Sequence, residues 1–255
     1  MARTDSRWVR GAVSVAVCTA LMWVGAVAAH DASVPAKAQA SKTQQLTDVS
    51  AMRLQKVAAQ VYFVQGESAL GSTANRNFIS NAGFVITNDS VVVIDALGSP
   101  ALAEELVKQI RTVTRKPISH VLLTHYHADH IYGLQVFAAL GAKIVANEQA
   151  REYINSETAH LRLEASRKDL APWVNDSTRM VPASQWLTAG SSQLTVGGVD
   201  FVLQHMGPAH TPEDTAVFLP QSGVLFIGDV VFRNRIPYVG QADSRHWIAA
   251  LDELL

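Results

Sequence analysis

The sequence predicts an α/β chain in which two sheets pack face to face with helices outside. Three observations carry that expectation. In the first half, short runs rich in β-branched residues alternate with helical spacing, the pattern of parallel strands in a layered domain. In the second half the strands come first, as a hairpin and then a pair, and a helix comes last. The hydrophobic fraction, 48% of 255 residues, is ample for a real core. With a net charge of −1 and no basic block, nothing points to a nucleic-acid partner.

The N-terminus carries Arg3, Arg7 and Arg10, then the uncharged run GAVSVAVCTALMWVGAVAA, closed by Ala26-Val27-Ala28. That order reads residues 1–29 as a secretory signal peptide. The apolar run is long for a signal, so an uncleaved membrane anchor stays open as the second reading. Residues 30–50 are small, polar and aperiodic, a flexible linker, and residues 51–255 are the expected folded domain. The chain is expected in the periplasm or secreted, with no membrane contact once the signal is cleaved. Its single cysteine, Cys18, lies inside the signal, so a mature protein has no thiolate to offer a metal.

Gln60–Gln65, Phe78–Thr87 and Ser90–Ala96 read as strands, punctuated by Gly66, Gly71 and Asn88-Asp89-Ser90. Ser99–Val113 has helical spacing, with Ser99 as N-cap and Pro100 at the first helical position. Pro117–His125 is a buried strand, Ile131–Leu140 a helix ended by Gly141, and Lys143–Ala146 a short strand. One long polar helix is expected over Asn147–Leu170. Ser192–Val196 and Val199–Met206 flank Gly197-Gly198 as a hairpin. Thr215–Pro220 and Gly223–Asp229 form a second strand pair, and Arg245–Leu255 a helix.

The stretch LLTHYHADH, Leu122 to His130, places three of the nine histidines and an aspartate where a buried strand runs out. His125 and His127, at alternate positions, can converge on one point, while Asp129 and His130 turn toward a second. Imidazole and carboxylate suit Zn²⁺, with Fe or Mn as alternatives. Four such groups, with more elsewhere, suggest two cations. His210, in GPAHTPEDTAVF, and Asp229, in LFIGDVVF, also stand at strand ends. Each alone would read as structural; beside the first cluster both become candidate ligands.

THYHADH, GPAHTPED, FIGDVVF and VVVIDAL together resemble the metallo-β-lactamase superfamily, over residues 55–255. Glu152–Val174 and Phe232–Leu254 are similar to an exported subgroup found with sulfur-oxidation or quinoprotein systems. The resemblance implies an αββα sandwich with a dinuclear site. It assigns His125, His127 and His210 to a first zinc, Asp129 and His130 to a second, and Asp229 to both. Asp95 takes a structural place behind the metal loop. The family completes its second site with a histidine in a later Gly-His turn. No Gly-His follows Asp229, and His246 sits in what reads as the first turn of a helix, so the domain is expected to lack its C-terminal closing elements.

The function expected is an exported dinuclear zinc metallo-hydrolase. A metal-bound hydroxide would attack the carbonyl of a small-molecule ester, thioester or amide/lactam. Asp129 is the catalytic candidate, orienting the nucleophile and relaying a proton to the leaving group. No Ser-His or Cys-His arrangement suggests a covalent route. Two alternatives stay open. One is a class B β-lactamase acting on β-lactams, against which Asp229 weighs because those enzymes commonly lack a carboxylate bridging both metals there. The other is a non-hydrolytic metal-binding accessory protein of a periplasmic oxidation system. Tyr126 either faces the pocket or packs beside it. The Asn147–Val174 segment, near Trp173 and Trp186, is either a wall over the pocket or a solvated helix.

Overall fold

The structure, a computed structural model, describes residues 52–188 and 190–254. The signal, anchor and linker expectations all lie outside the described residues. Among the described residues no helix is long and apolar enough to cross a membrane.

Seven strands form one sheet in chain order: β1 (Leu54–Ala58), β2 (Val61–Val64), β3 (Ala82–Ile86), β4 (Val91–Ile94), β5 (Ile118–Leu122), β6 (Lys143–Asn147) and β7 (Gln185–Leu187). Pairing is antiparallel up to β4 and parallel from β4 to β7. The helices α1 (Pro100–Val113), α2 (Ala128–Ile131), α3 (Leu134–Ala139), α4 (Ala150–Ile154) and α5 (Glu157–Asp169) lie within this half. The second sheet is antiparallel and runs β11-β10-β9-β8, built from β8 (Ser191–Val196), β9 (Val199–His205), β10 (Thr215–Leu219) and β11 (Val224–Phe226). The last helix, α6 (Ser244–Asp252), follows.

The side-chain period explains the layers. In β4 the four residues Val91–Ile94 are all buried, as expected of a strand covered on both faces. Val91 and Val93 enter the core under α1 and α3, with Leu102, Leu106 and Phe137. Val92 and Ile94 enter the core between the sheets, with Phe201, Leu203 and Val217. Each such burial contributes about 1.5–3 kcal/mol. A third cluster joins Trp247 and Ala250 of α6 to Met206, Ala216 and Val230, covering the small sheet from its other side. The order of layers is therefore helix, sheet, sheet, helix, as expected.

Local signals held where the chemistry is short-range. Ser99 caps α1 by accepting the Leu102 N–H at 3.3 Å, with Pro100 opening the helix. Two expected helices differ from the outcome. The helix after the histidine motif begins earlier, at Ala128, and divides at Gly133, whose N–H bonds Leu97 O at 3.2 Å. A Cβ at Gly133 would collide with Ala96 O, so close packing on the end of β4 prevails over helix continuity. The polar stretch 147–170 is also two helices. Ser156 is extended at φ −81° and ψ 153°, and its hydroxyl caps α5 through the Ala159 N–H at 3.1 Å.

Candidate metal centre

The centre forms at the carboxyl ends of β4 and β5, the edge where α/β sheets place their ligands. Just past the end of β5 the Thr124 C=O accepts the Thr215 N–H at 2.9 Å, tying the large sheet to the small one. His127 is the N-cap of α2, which turns Asp129 and His130 back toward the strand end. His210 comes from the loop after β9. In that loop Asp214 accepts the Thr211 N–H and hydroxyl, both at 2.8 Å. Its neighbour Glu213 crosses to accept the Tyr126 N–H at 3.1 Å, so the two acids of TPED brace both ligand loops.

Two triads result. The ligand atoms of His125, His127 and His210 lie within 4.8 Å of one another, and so do those of His125, His130 and Asp229. His125 belongs to both. Asp229 faces both sides, with Oδ1 3.3 Å from His130 Nε2 and Oδ2 3.6 Å from His210 Nε2. Asp129 belongs to neither triad, but its Oδ2 is 3.6 Å from His130 Nε2. Its backbone carbonyl accepts the Ser80 hydroxyl.

The hydrogen bonds assign the tautomers. Thr124 donates its hydroxyl to Asp95 Oδ2 at 2.8 Å, so it accepts from His125 Nδ1–H at 3.1 Å and leaves Nε2 with a lone pair. His210 Nδ1–H donates to the Tyr238 carbonyl at 2.9 Å. His127 Nε2–H donates to Gln241 Oε1 at 3.2 Å, leaving Nδ1. His130 Nδ1–H donates to Asp95 Oδ2 at 2.9 Å. Every outer nitrogen is thus committed and every inner one converges. His127 Nδ1 and His210 Nε2 face each other at 2.9 Å, two lone pairs that repel unless a cation lies against them. The buried Nε2 atom of His125 has no hydrogen-bond partner, and that of His130 meets only the carboxylates of Asp229 and Asp129, at 3.3 and 3.6 Å. Such orphaned donor atoms fit a bound metal ion.

Charge follows the same division. Burial, reinforced by the neighbouring histidines, holds His125 well below the ordinary imidazole value. Burial and then His210 push His127 down to about 4. Burial also lowers His210, against the pull of Asp229. At His130 burial acts in the same direction but is overturned by Asp95, Asp129 and Asp229, which hold it well above the usual range. Asp229 is raised by burial and lowered more strongly by His130, ending below the usual carboxylate range.

Asp95 stands behind this cluster at φ +60°, a left-handed conformation costing about 1–2 kcal/mol. In return its carboxylate accepts the Thr124 N–H at 2.9 Å, the Thr124 hydroxyl and His130. Gly228 delivers Asp229. It has φ +54°, and a Cβ would lie 2.6 Å from Thr124 Oγ1, so only glycine brings this turn against the β5 end.

A cavity of about 490 Å³ opens onto the centre, lined by His127, Asp129, His210 and Asp229 on its floor. Its walls come from the loop before β3 (Leu70, Ile79), from α5 (Arg162, Ser166, Asp169) and from the segment after Asp229 (Phe232, Arg235, Tyr238). Single bonds join those walls: the Ser68 hydroxyl to Asn234 O at 3.1 Å, Arg235 to Ile79 O at 3.1 Å, and the Trp173 indole N–H to Thr73 O at 2.8 Å. The segment after β6 is thus a wall rather than a solvated helix. Tyr126 packs in the core, its hydroxyl on Val181 O at 3.3 Å, and does not line the cavity. His246 is exposed in the first turn of α6 and joins neither triad.

Sequence reasoning missed Tyr238, Gln241, Arg162 and Arg235. Gln241 and Tyr238 each act on a histidine through one bond, and a carbonyl partner leaves no mark in residue type. Arg162 and Arg235 sat in plain view but lacked a partner to give them meaning.

The chain belongs to the metallo-β-lactamase superfamily, whose family model matches residues 75–255. Most members of that superfamily are metal-dependent hydrolases. Among characterised relatives, the 2,4-dinitroanisole O-demethylase subunit alpha of Nocardioides sp. is 26% identical over 143 residues, 56% of this chain and 38% of that subunit. Metallo-β-lactamase IND-1 of Chryseobacterium indologenes is 21% identical over 187 residues, 72% of this chain and 69% of that enzyme. Among solved structures, the stereoselective inverting sec-alkylsulfatase of Pseudomonas sp. superposes with a TM-score of 0.61 at 20% identity, covering 79% of this chain and 36% of that one. The chain therefore spans well under half the length of two of these three proteins, and what they share with it is the fold.

Proposed function

We propose that this protein is an exported metal-dependent hydrolase holding two Zn²⁺ ions and acting on a small molecule with an ester, thioester or amide/lactam carbonyl. The observation that carries the reading is the convergence of four committed histidines, above all the opposed lone pairs of His127 and His210 at 2.9 Å. His125, His127 and His210 would hold one ion, and His130 and Asp229, with Asp129 beside them, the other. Bound zinc supplies Lewis acidity and an acidified water at neutral pH. Asp95 fixes the His130 ring and the Thr124 backbone before substrate arrives. Asp129, 17% exposed at its side chain, is placed to accept a proton at Oδ2 and return it to the leaving group. The tied walls would position the substrate over this floor.

The basic-then-apolar N-terminus supports export. The motifs at 152–174 and 232–254 support the subgroup found with sulfur-oxidation or quinoprotein systems. The test is zinc stoichiometry together with a panel of β-lactam, thioester and carboxylic ester substrates. Two ions and turnover of one class are expected. One loosely held ion and no turnover would overturn the hydrolase reading in favour of a metal-binding accessory protein.

A further inference from the structure

Ile236 and Leu70 are the two most exposed large apolar side chains among the described residues, at 91% and 86%. Both stand on the loops that border the metal cavity. Leu70 belongs to the loop between β2 and β3, and Ile236 to the irregular segment between β11 and α6. The Ser68 hydroxyl joins the two loops by donating to Asn234 O at 3.1 Å. Tyr238 and Val239 follow Ile236, 55% and 62% exposed. Soluble proteins scatter single apolar residues over their surface, but several gathered in one place mark a site of contact.

Position and charge together say what covers this rim. Leu70 and Tyr238 line the cavity, whereas Ile236 and Val239 do not, so a substrate resting on the metal floor leaves those two bare. Between Asp229 and Asp243 the chain carries two arginines and no acid, and one of them, Arg233, is exposed. A second copy of this chain is a poor occupant. A two-fold contact would set the same basic segment against itself, with no acid in it to compensate. An anionic lipid surface fits each feature. Aliphatic tips enter the acyl boundary, tyrosine favours the headgroup level, and an exposed arginine is drawn to lipid phosphates.

We propose that the mouth of the cavity docks on an anionic lipid surface through Leu70, Ile236, Tyr238 and Val239, with Arg233 supplying the electrostatic attraction. The contact is peripheral and belongs to the folded domain, in place of the expected absence of membrane contact after signal cleavage. It leaves the metal cavity opening toward the bilayer. The proposal stands apart from the hydrolase reading, and its test reads lipid contact and not turnover.

The zinc-loaded full-length chain carries Cys18→Ser and Ile236→Cys, and the single thiol is labelled with a fluorophore sensitive to polarity. A second preparation carries the label at Leu140→Cys, an exposed position beside α1 that does not line the metal cavity. Vesicles of phosphatidylcholine are compared with vesicles that also contain phosphatidylglycerol. Any tethering through the apolar N-terminal run is common to both labels, so the difference between them reads the rim. At position 236 the emission should shift to the blue on anionic vesicles, be quenched by spin-labelled acyl chains, and revert as salt is raised. At position 140 it should not move. Adding Arg233→Gln should move the balance of shifted and unshifted label about fivefold toward unshifted, the change expected for one basic residue at an anionic surface. Adding Leu70→Ser should move it the same way.

No shift at position 236 on anionic vesicles, or an equal shift at position 140, overturns the proposal. So does a label that ignores every vesicle and responds to protein concentration, which would assign the rim to a second copy. Should the labelled Ile236→Cys chain not fold, as its melting curve would show, the label at Val239→Cys decides.

Discussion

Around His125 the ligand atoms divide into a side of three imidazoles and a side where imidazole meets carboxylate. Both sides must accommodate positive charge in a buried place, and they differ in where that charge comes from. His125, His127 and His210 are all driven toward neutrality, so their cohesion depends on an ion. His130 sits among three carboxylates, which hold it well above the usual imidazole range against the pull of burial. The lesson is that a triad of neutral donors is a stronger pointer to a metal than a mixed one, because protons can satisfy the mixed set and cannot satisfy the neutral one.

The largest effect should come from His127→Ala, which removes a donor from the imidazole side and leaves His210 Nε2 without its counterpart. Elemental analysis should show loss of the ion on that side, and metal-dependent hydrolysis should fall to background; retained activity would refute the site. Asp95→Ala acts on the other side. It frees the His130 ring and two bonds to Thr124, and zinc titration should show the ion on the His130 side losing about 10–100-fold in affinity. A loss falling equally on both ions would dissolve the distinction between the sides.

Gly228→Ala tests delivery of Asp229. The left-handed φ costs a non-glycine residue about 1–2 kcal/mol, and the contact with Thr124 adds to it. At about 2–4 °C per kcal/mol for a domain of this size, thermal melting should drop by several degrees. Trp173→Phe touches neither side. Loss of the indole bond to Thr73 O should cost about 0.5–1.5 kcal/mol and leave zinc stoichiometry intact. Altered stoichiometry would mean that wall and metal floor are coupled.

Much of the fold could be read from residues whose effect is local. Ser99 with Pro100, the Gly197-Gly198 hairpin and the Val91–Ile94 run all behaved as their neighbours dictate. The misses were elements whose reason lies elsewhere in the chain. β1, Leu54–Ala58, carries Gln55 and Lys56 and exists by pairing with β2, while β7 is three residues that follow the β6 edge. In the site, the metal-binding residue types announce themselves by crowding, and His125, His127, His130, His210 and Asp229 do come together. Asp129 stays just outside both triads, a matter of ångströms that spacing cannot resolve.

The wall bonds described above join pieces of chain far apart in sequence: Ser68 to Asn234, Thr73 to Trp173, Ile79 to Arg235. None of these residues belongs to either ligand triad. Substitutions at such positions, away from Tyr238, whose carbonyl holds His210, can therefore accumulate or reverse a charge while the metal floor stays as it is. Substrate range and reaction chemistry are in this sense separately heritable, which is one physical route by which a single architecture could come to serve proteins as different as a demethylase subunit, a β-lactamase and an alkylsulfatase.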